Sequence, residues 1–156
     1  MKYLQAILFI IASQMAGIIG TVFTSKAIPT WYAGVNKPSF NPPNWIFGPV
    51  WVTLYTMMGI AAYLVWKDWA NNAVAKYATI LFFVHLAFNA LWSILFFGLK
   101  NPMLAFFEII VLWLMIVALI VMYYQINKTA SYLLVPYLLW VSFASVLNFY
   151  IWRLNM

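Results

Sequence analysis

Residues 31–55 read WYAGVNKPSFNPPNWIFGPVWVTLY, and the architecture of the whole chain turns on this stretch. Pro38, Pro42, Pro43 and Pro49 each fix φ and bias the preceding residue toward extended backbone. Residues 27–44 therefore cannot form a regular helix. The same stretch carries Trp31, Tyr32, Phe40, Trp45 and Phe47, an apolar load that a floppy linker would leave uncovered. A stiff aromatic lid over the mouth of a helix bundle, spanning residues 26–44, satisfies both constraints. Beyond it, Phe47, Trp51, Tyr55 and Met58 recur at helical spacing and form one stripe, which in a membrane helix can face either the space under the lid or lipid.

Outward from that stretch the chain is apolar. Of its 156 residues, 67% are hydrophobic and 6% charged, and the mean hydropathy is +0.95. Soluble domains run at about 45–50% apolar and about 25% charged, so this composition excludes one. Five apolar runs stand out, at 3–25, 45–66, 78–98, 103–124 and 131–152. Each is long enough, at about 1.5 Å per residue, to cross roughly 30 Å of hydrocarbon. Lipid offers the backbone no hydrogen-bond partners, so the runs must be helices. The expected fold is all-α: an integral-membrane five-helix bundle, one domain over residues 1–156, with the lid between helices 1 and 2. The first run is too long for a signal peptide and no small-residue cleavage site follows it, so it reads as a retained helix.

With no cysteine, disulfides and thiolate chemistry are excluded. The net charge of +6 sits on isolated residues, which suits interfacial anchoring and leaves no basic run for a nucleic acid. Lys2, Lys67, Lys76 and Lys128 fall on one side and Lys26, Lys37, Lys100 and Arg153 on the other, so loop charge sets no orientation.

Polar groups inside spans need partners, which singles out His85, Asn89, Glu108 and Asn148. His85 is the only histidine, and no cysteine or nearby carboxylate completes a metal-ligand set. No metal or cofactor is expected, and His85 reads as a helix–helix hydrogen-bonder. Glu108 lies near the start of its helix, where the macrodipole favours an anion; a ligand-facing or proton-linked carboxylate is the alternative. Asn89 and Asn148 read as bridges between helices, and Asn89 is also placed to donate to a ligand. Asn44 is expected to cap helix 2, with Pro49 in its first turn, and Asn101-Pro102 to open helix 4. Gly17 and Gly20, beside Ala16, Thr21 and Thr24, either admit a neighbouring helix or leave room for a ligand.

Only two acidic residues exist, so no Ser-His-Asp set and no carboxylate pair is available, and no glycine-rich phosphate loop occurs. What the chain supplies is aromatic: 9 Trp, 10 Tyr and 13 Phe. Trp51, Trp92 and Trp140 lie well within three different spans, on faces that also carry polar or small residues. Such a set suits a stacking pocket for a flat hydrophobic ligand.

The pattern WYxxxxKPxFxPPxWxFxPVWxxLY resembles the signature of the tryptophan-rich sensory protein family, also called translocator protein or peripheral-type benzodiazepine receptor. Two further blocks fit: Asn89-Ala-Leu-Trp92 with Phe96-Phe97, and Pro136-Tyr137-Leu-Leu-Trp140 with Phe143-Ala144 and Leu147-Asn148. The similarity runs from about residue 14 to Arg153. At position 85 the family often has Gln where this chain has His.

The resemblance implies a multi-pass protein of a bacterial cell membrane, commonly dimeric, that binds tetrapyrroles such as protoporphyrin IX. Sterols and benzodiazepine-type drugs are further ligands of the family. Trp51, Asn89, Trp140, Ala144 and Leu147 match the family's pocket positions, with Tyr32, Phe47, Tyr55 and Trp92 as additions. The resemblance also implies an enzymatic alternative, breakdown of porphyrin under light and oxygen, with Trp51 and Trp140 as participants. A proton-coupled small transporter would need mid-membrane ionisable groups and an internal repeat. Leu147, Tyr150 and Arg153 fit the short pattern proposed for sterol contact, which interfacial anchoring also produces. For the dimer, Ala75, Ala78 and Ala87 on helix 3 are the expected small-residue contacts.

Overall fold

A computed structural model describes residues 2–156. The chain forms α1 (Lys2–Ala27), a one-turn α2 (Trp31–Gly34), α3 (Phe47–Trp66), α4 (Ala73–Ser93), α5 (Pro102–Ile126) and α6 (Lys128–Leu154). A 3₁₀ turn over Asn44–Ile46 leads into α3, and a wider turn over Ile94–Gly98 prolongs α4. All five helices other than α2 are long and apolar enough to cross a membrane. They stand in a ring in the order α1, α3, α6, α5, α4, with α4 closing back on α1.

Helix ends follow local chemistry more than hydropathy. α4 begins at Ala73, five residues before the apolar run, because the Asn72 side chain accepts from Val74 and Ala75 N–H at 2.8 and 3.2 Å. Asn127 does the same for α6 through Ala130 N–H. At α5 the expected cap is present: Asn101 Oδ1 accepts from Leu104 N–H at 3.0 Å, with Pro102 opening the helix. Asn44 is a correction. It makes no side-chain cap bond and instead starts the 3₁₀ turn, the preceding Pro43 having fixed an extended entry. α4 leaves through Lys100 at φ 53°, a left-handed conformation usually given to glycine.

The two ends of the ring differ. Away from the lid, Ala61, Ala62 and Val65 of α3 meet Ala75, Ala78 and Phe82 of α4, with Ile116, Leu119 and Tyr123 of α5, all essentially without exposure. These small residues let the helices close into a solid plug. Ala75 and Ala78 are consumed in this plug, so neither is available to a partner chain, contrary to the sequence expectation. Of the three alanines proposed for that contact, only Ala87 faces outward.

The lid half is wider. α1 crosses α3 at Gly59, where an added Cβ would lie 2.5 Å from the Ile10 Cα. Gly17 receives the ring of Tyr55 in the same way. Gln14 ties the two helices together, donating to Val52 O at 3.0 Å and Thr56 Oγ1 at 3.1 Å. α2 lays Trp31 and Tyr32 across Phe96 and Phe97 with ring centroids 5.6–6.5 Å apart. Further along the lid, Phe40 meets Tyr150 edge-on at 5.4 Å although it is itself 43% exposed. Asn36 and Asn155 clasp each other: Asn36 N–H donates to Asn155 Oδ1 at 3.0 Å, and Asn155 Nδ2 donates back to Asn36 O at 2.9 Å.

Candidate functional site

Under the lid lies a cavity of about 410 Å³. The α3 stripe enters it as expected: Phe47, Trp51 and Tyr55 line it, and Met58 lies buried below. Trp51 stacks on Tyr55 at 5.3 Å and meets Tyr137 edge-on at 6.2 Å. Across from it α6 supplies Trp140, Ala144 and Leu147, with Phe47 edge-on to Trp140 at 5.9 Å. α4 adds Asn89 and Trp92, and the lid adds Tyr32. All nine residues singled out in the sequence therefore line one cavity.

The floor is a chain of hydrogen bonds. Tyr55 O–H donates to Asn89 Oδ1, and Asn89 Nδ2 donates to Tyr137 Oη at 2.8 Å. The Tyr137 proton then goes to His85 Nε2, also at 2.8 Å, and Nδ1–H of His85 faces Phe82 O at 3.3 Å. The Phe82 carbonyl can only accept, which places a hydrogen on Nδ1 of His85; a neutral imidazole then offers Nε2 as the acceptor for the Tyr137 hydroxyl, and the chain runs in one direction. The chain joins α3, α4 and α6 at the level where the plug meets the cavity. His85 is thus the helix–helix hydrogen-bonder expected of it. Among the described residues no three His, Cys, Asp or Glu side chains gather as a metal set.

Asn148 bridges as expected. It accepts from Trp92 Nε1 at 3.0 Å and donates to Pro102 O at 2.7 Å, holding α4 and the start of α5 against α6. Glu108 behaves otherwise. It lies buried beyond the first turn of α5, where the macrodipole has faded, and neither carboxyl oxygen has a partner. It does not line the cavity.

At the mouth, Tyr32 donates to Asn41 Oδ1 at 2.9 Å, and Lys37 Nζ sits 4.6 Å above its ring. Burial pushes the Tyr32 phenol up to about 12, outweighing the bond to Asn41, so the hydroxyl keeps its proton as a donor. The proposed sterol triplet does not share one surface: Leu147 is buried at the cavity, while Tyr150 and Arg153 face outward.

Sequence reasoning missed part of the wall formed by α1 and the residue just after it. Gln14, Ser25 and Ile28 line the cavity beside the anticipated Gly17, Gly20, Thr21 and Thr24, and Ser93 adds a hydroxyl from α4. Gln14 carried a usable signal, because a primary amide inside an apolar run needs a reason. On the open side, Ile18 and Val52 both line the cavity and are more than half exposed, so it reaches the outer surface of the bundle beside α1 and α3.

The TspO/MBR family description matches residues 9–153. The chain is 47% identical over 155 residues to "Tryptophan-rich protein TspO" of Archaeoglobus fulgidus, covering 99% of both chains. A protein of the same name in Chlorobaculum tepidum is 44% identical over 140 residues, covering 89% of this chain and 88% of that one. The human translocator protein is 36% identical over 156 residues, covering 98% of this chain and 91% of its own.

Proposed function

The chain belongs to the TspO/MBR family of membrane proteins, and on that premise we propose that it is a receptor or carrier for tetrapyrroles and similar flat apolar ligands. The observation that carries this reading is the cavity: about 410 Å³, walled by Trp51, Trp92 and Trp140, with no charged side chain in its lining. That volume falls within the roughly 300–1,000 Å³ typical of small-molecule sites. The exposed edge of the cavity at Ile18 and Val52 gives a hydrophobic ligand a route from the bilayer, and lets a larger macrocycle project beyond the wall. Sterols and benzodiazepine-type drugs fit the same apolar description. The proposed setting is a bacterial cell membrane.

The wall indoles favour a second reading for the same site. The N–H groups of Trp92 and Trp113 are committed to Asn148 and Ser142, whereas those of Trp51 and Trp140 have no partner among the described residues. Both uncommitted indoles line the cavity, where an excited porphyrin or reactive oxygen could oxidise them. Light- and oxygen-dependent breakdown of a bound porphyrin is the reaction they suit.

One titration tests both readings. Protoporphyrin added in the dark should quench the tryptophan fluorescence saturably at micromolar or tighter affinity; no saturation in lipid or mild detergent refutes the binding reading. Trp51→Phe and Trp140→Phe should each cost on the order of 1 kcal/mol of binding, because an aromatic face remains. Under light, product yield is then compared at matched occupancy. A participating indole makes the yield collapse in the phenylalanine variants, while equal yields leave a binding pocket alone.

The proposed assembly is a homodimer. With Ala75 and Ala78 buried in the plug, the contact falls on the outward face of α4 at Ile80, Val84 and Ala87. Cysteines introduced at positions 84 and 87 should crosslink between copies in membranes. Crosslinks confined to α1 would move the interface.

A further inference from the structure

The wall of the cavity is one-sided in its hydrogen bonding. Asn89 is 3% exposed, and its Oδ1 and one amide hydrogen are committed to Tyr55 and Tyr137. Its second amide hydrogen has no partner among the described residues. Ser93 follows one helical turn later on the same face of α4, and its hydroxyl also has none. Gly20 makes room for that hydroxyl, since a Cβ there would lie 2.8 Å from Ser93 Oγ. Two free donors thus stand about one turn apart on the cavity wall. No cation accompanies them. Basic groups do stand beside its mouth: Lys26, next to the lining residue Ser25, and Lys37, over the ring of Tyr32.

Free donors without a countercharge discriminate between acceptors. A neutral carbonyl gains hydrogen bonds there and pays a small desolvation cost. An ionised carboxylate would shed its hydration for two neutral donors in an apolar surrounding, which is unfavourable. We propose that Asn89 and Ser93 form a specificity subsite for an uncharged hydrogen-bond acceptor of the ligand, a carbonyl or ester oxygen, and that ionised carboxylates stay at the lid. This rests on the reading of the cavity as a pocket for tetrapyrroles and flat apolar ligands, and it states which end of such a ligand enters.

The test uses the full chain in lipid nanodiscs, in the dark, with three porphyrins: a dimethyl ester, its diacid, and a macrocycle bearing only alkyl groups. The wild type should bind the diester about two- to tenfold more tightly than the diacid, the worth of one net hydrogen bond. Ser93→Ala should reduce that advantage, weakening the diester while leaving the diacid and the alkyl porphyrin unchanged, with the Asn89 donor retaining the remainder. Gly20→Ala, which crowds the hydroxyl, should repeat the pattern. A diacid bound as tightly as the diester by the wild type overturns the proposal. So does an Ser93→Ala variant that shifts all three ligands equally, or none. If no porphyrin saturates, the tetrapyrrole reading fails and takes the subsite with it. If all three saturate with the same affinity, that reading stands and the subsite alone falls.

Discussion

Replacing Gly59 by alanine should destabilise the protein by about 1–3 kcal/mol, the usual cost of overpacking. The added methyl would sit 2.5 Å from Ile10 Cα, 2.7 Å from Ile10 N and 2.9 Å from Phe9 O. All three are backbone atoms, so no side chain can swing aside; α1 and α3 must part. Gly48→Ala is the matched control, because nothing lies within 4 Å of its Cβ position, and there the helix should gain slightly. Gly17→Ala falls between, since the obstacle is the Tyr55 ring, held by its bond to Asn89. Thermal denaturation in a mild detergent ranks the three variants. Equal melting of Gly59→Ala and Gly48→Ala would mean that α1 and α3 do not cross as described.

The second large effect is expected at Tyr137. Its hydroxyl serves two partners, accepting from Asn89 and donating to His85, and its side chain is entirely buried. Tyr137→Phe strands both partners at once. His85 is 1% exposed and has no other donor for Nε2, so the loss should reach about 2–4 kcal/mol. Interhelical hydrogen bonds in membranes are worth only about 0.6 kcal/mol on average, so the penalty comes from orphaned groups more than from the lost bonds. Two comparisons isolate that cause. Tyr55→Phe should cost less, because Asn89 borders the cavity and can be resatisfied there. His85→Phe combined with Tyr137→Phe should be more stable than the sum of the two singles predicts, since each removes what the other strands. Strict additivity in that cycle would dissolve the floor as a unit.

These expectations also mark where sequence and structure part company. Hydropathy located five spans because crossing lipid leaves the backbone no choice, and helical spacing placed Phe47, Trp51 and Tyr55 on one face. The Asn101-Pro102 start was readable because a cap is a local event. Asn72 and Asn127 are caps of the same kind, but no proline follows either of them to mark the start of α4 or α6. Which side chains meet across the bundle is a property of ring order, and no local pattern encodes that α6 stands beside α3. His85 and Tyr137 lie 52 residues apart, and only their shared level in the ring pairs them. Ala75 and Ala78 show the converse: small residues invite a close approach equally from within and without, and spacing alone chose the wrong side.

The clasp between Asn36 and Asn155 has a consequence for how the protein is made. The two residues are 119 positions apart, so the lid leaves the ribosome long before its anchor exists. α6, which supplies Trp140 and carries the anchor just past its end, also follows the other four spans in synthesis. A nascent chain holding the first four helices has one wall of the cavity open and a roof with nothing to fasten to. On the proposed tetrapyrrole reading, binding must wait for α6, and a ribosome stalled before residue 140 should carry a membrane-inserted chain that binds no porphyrin.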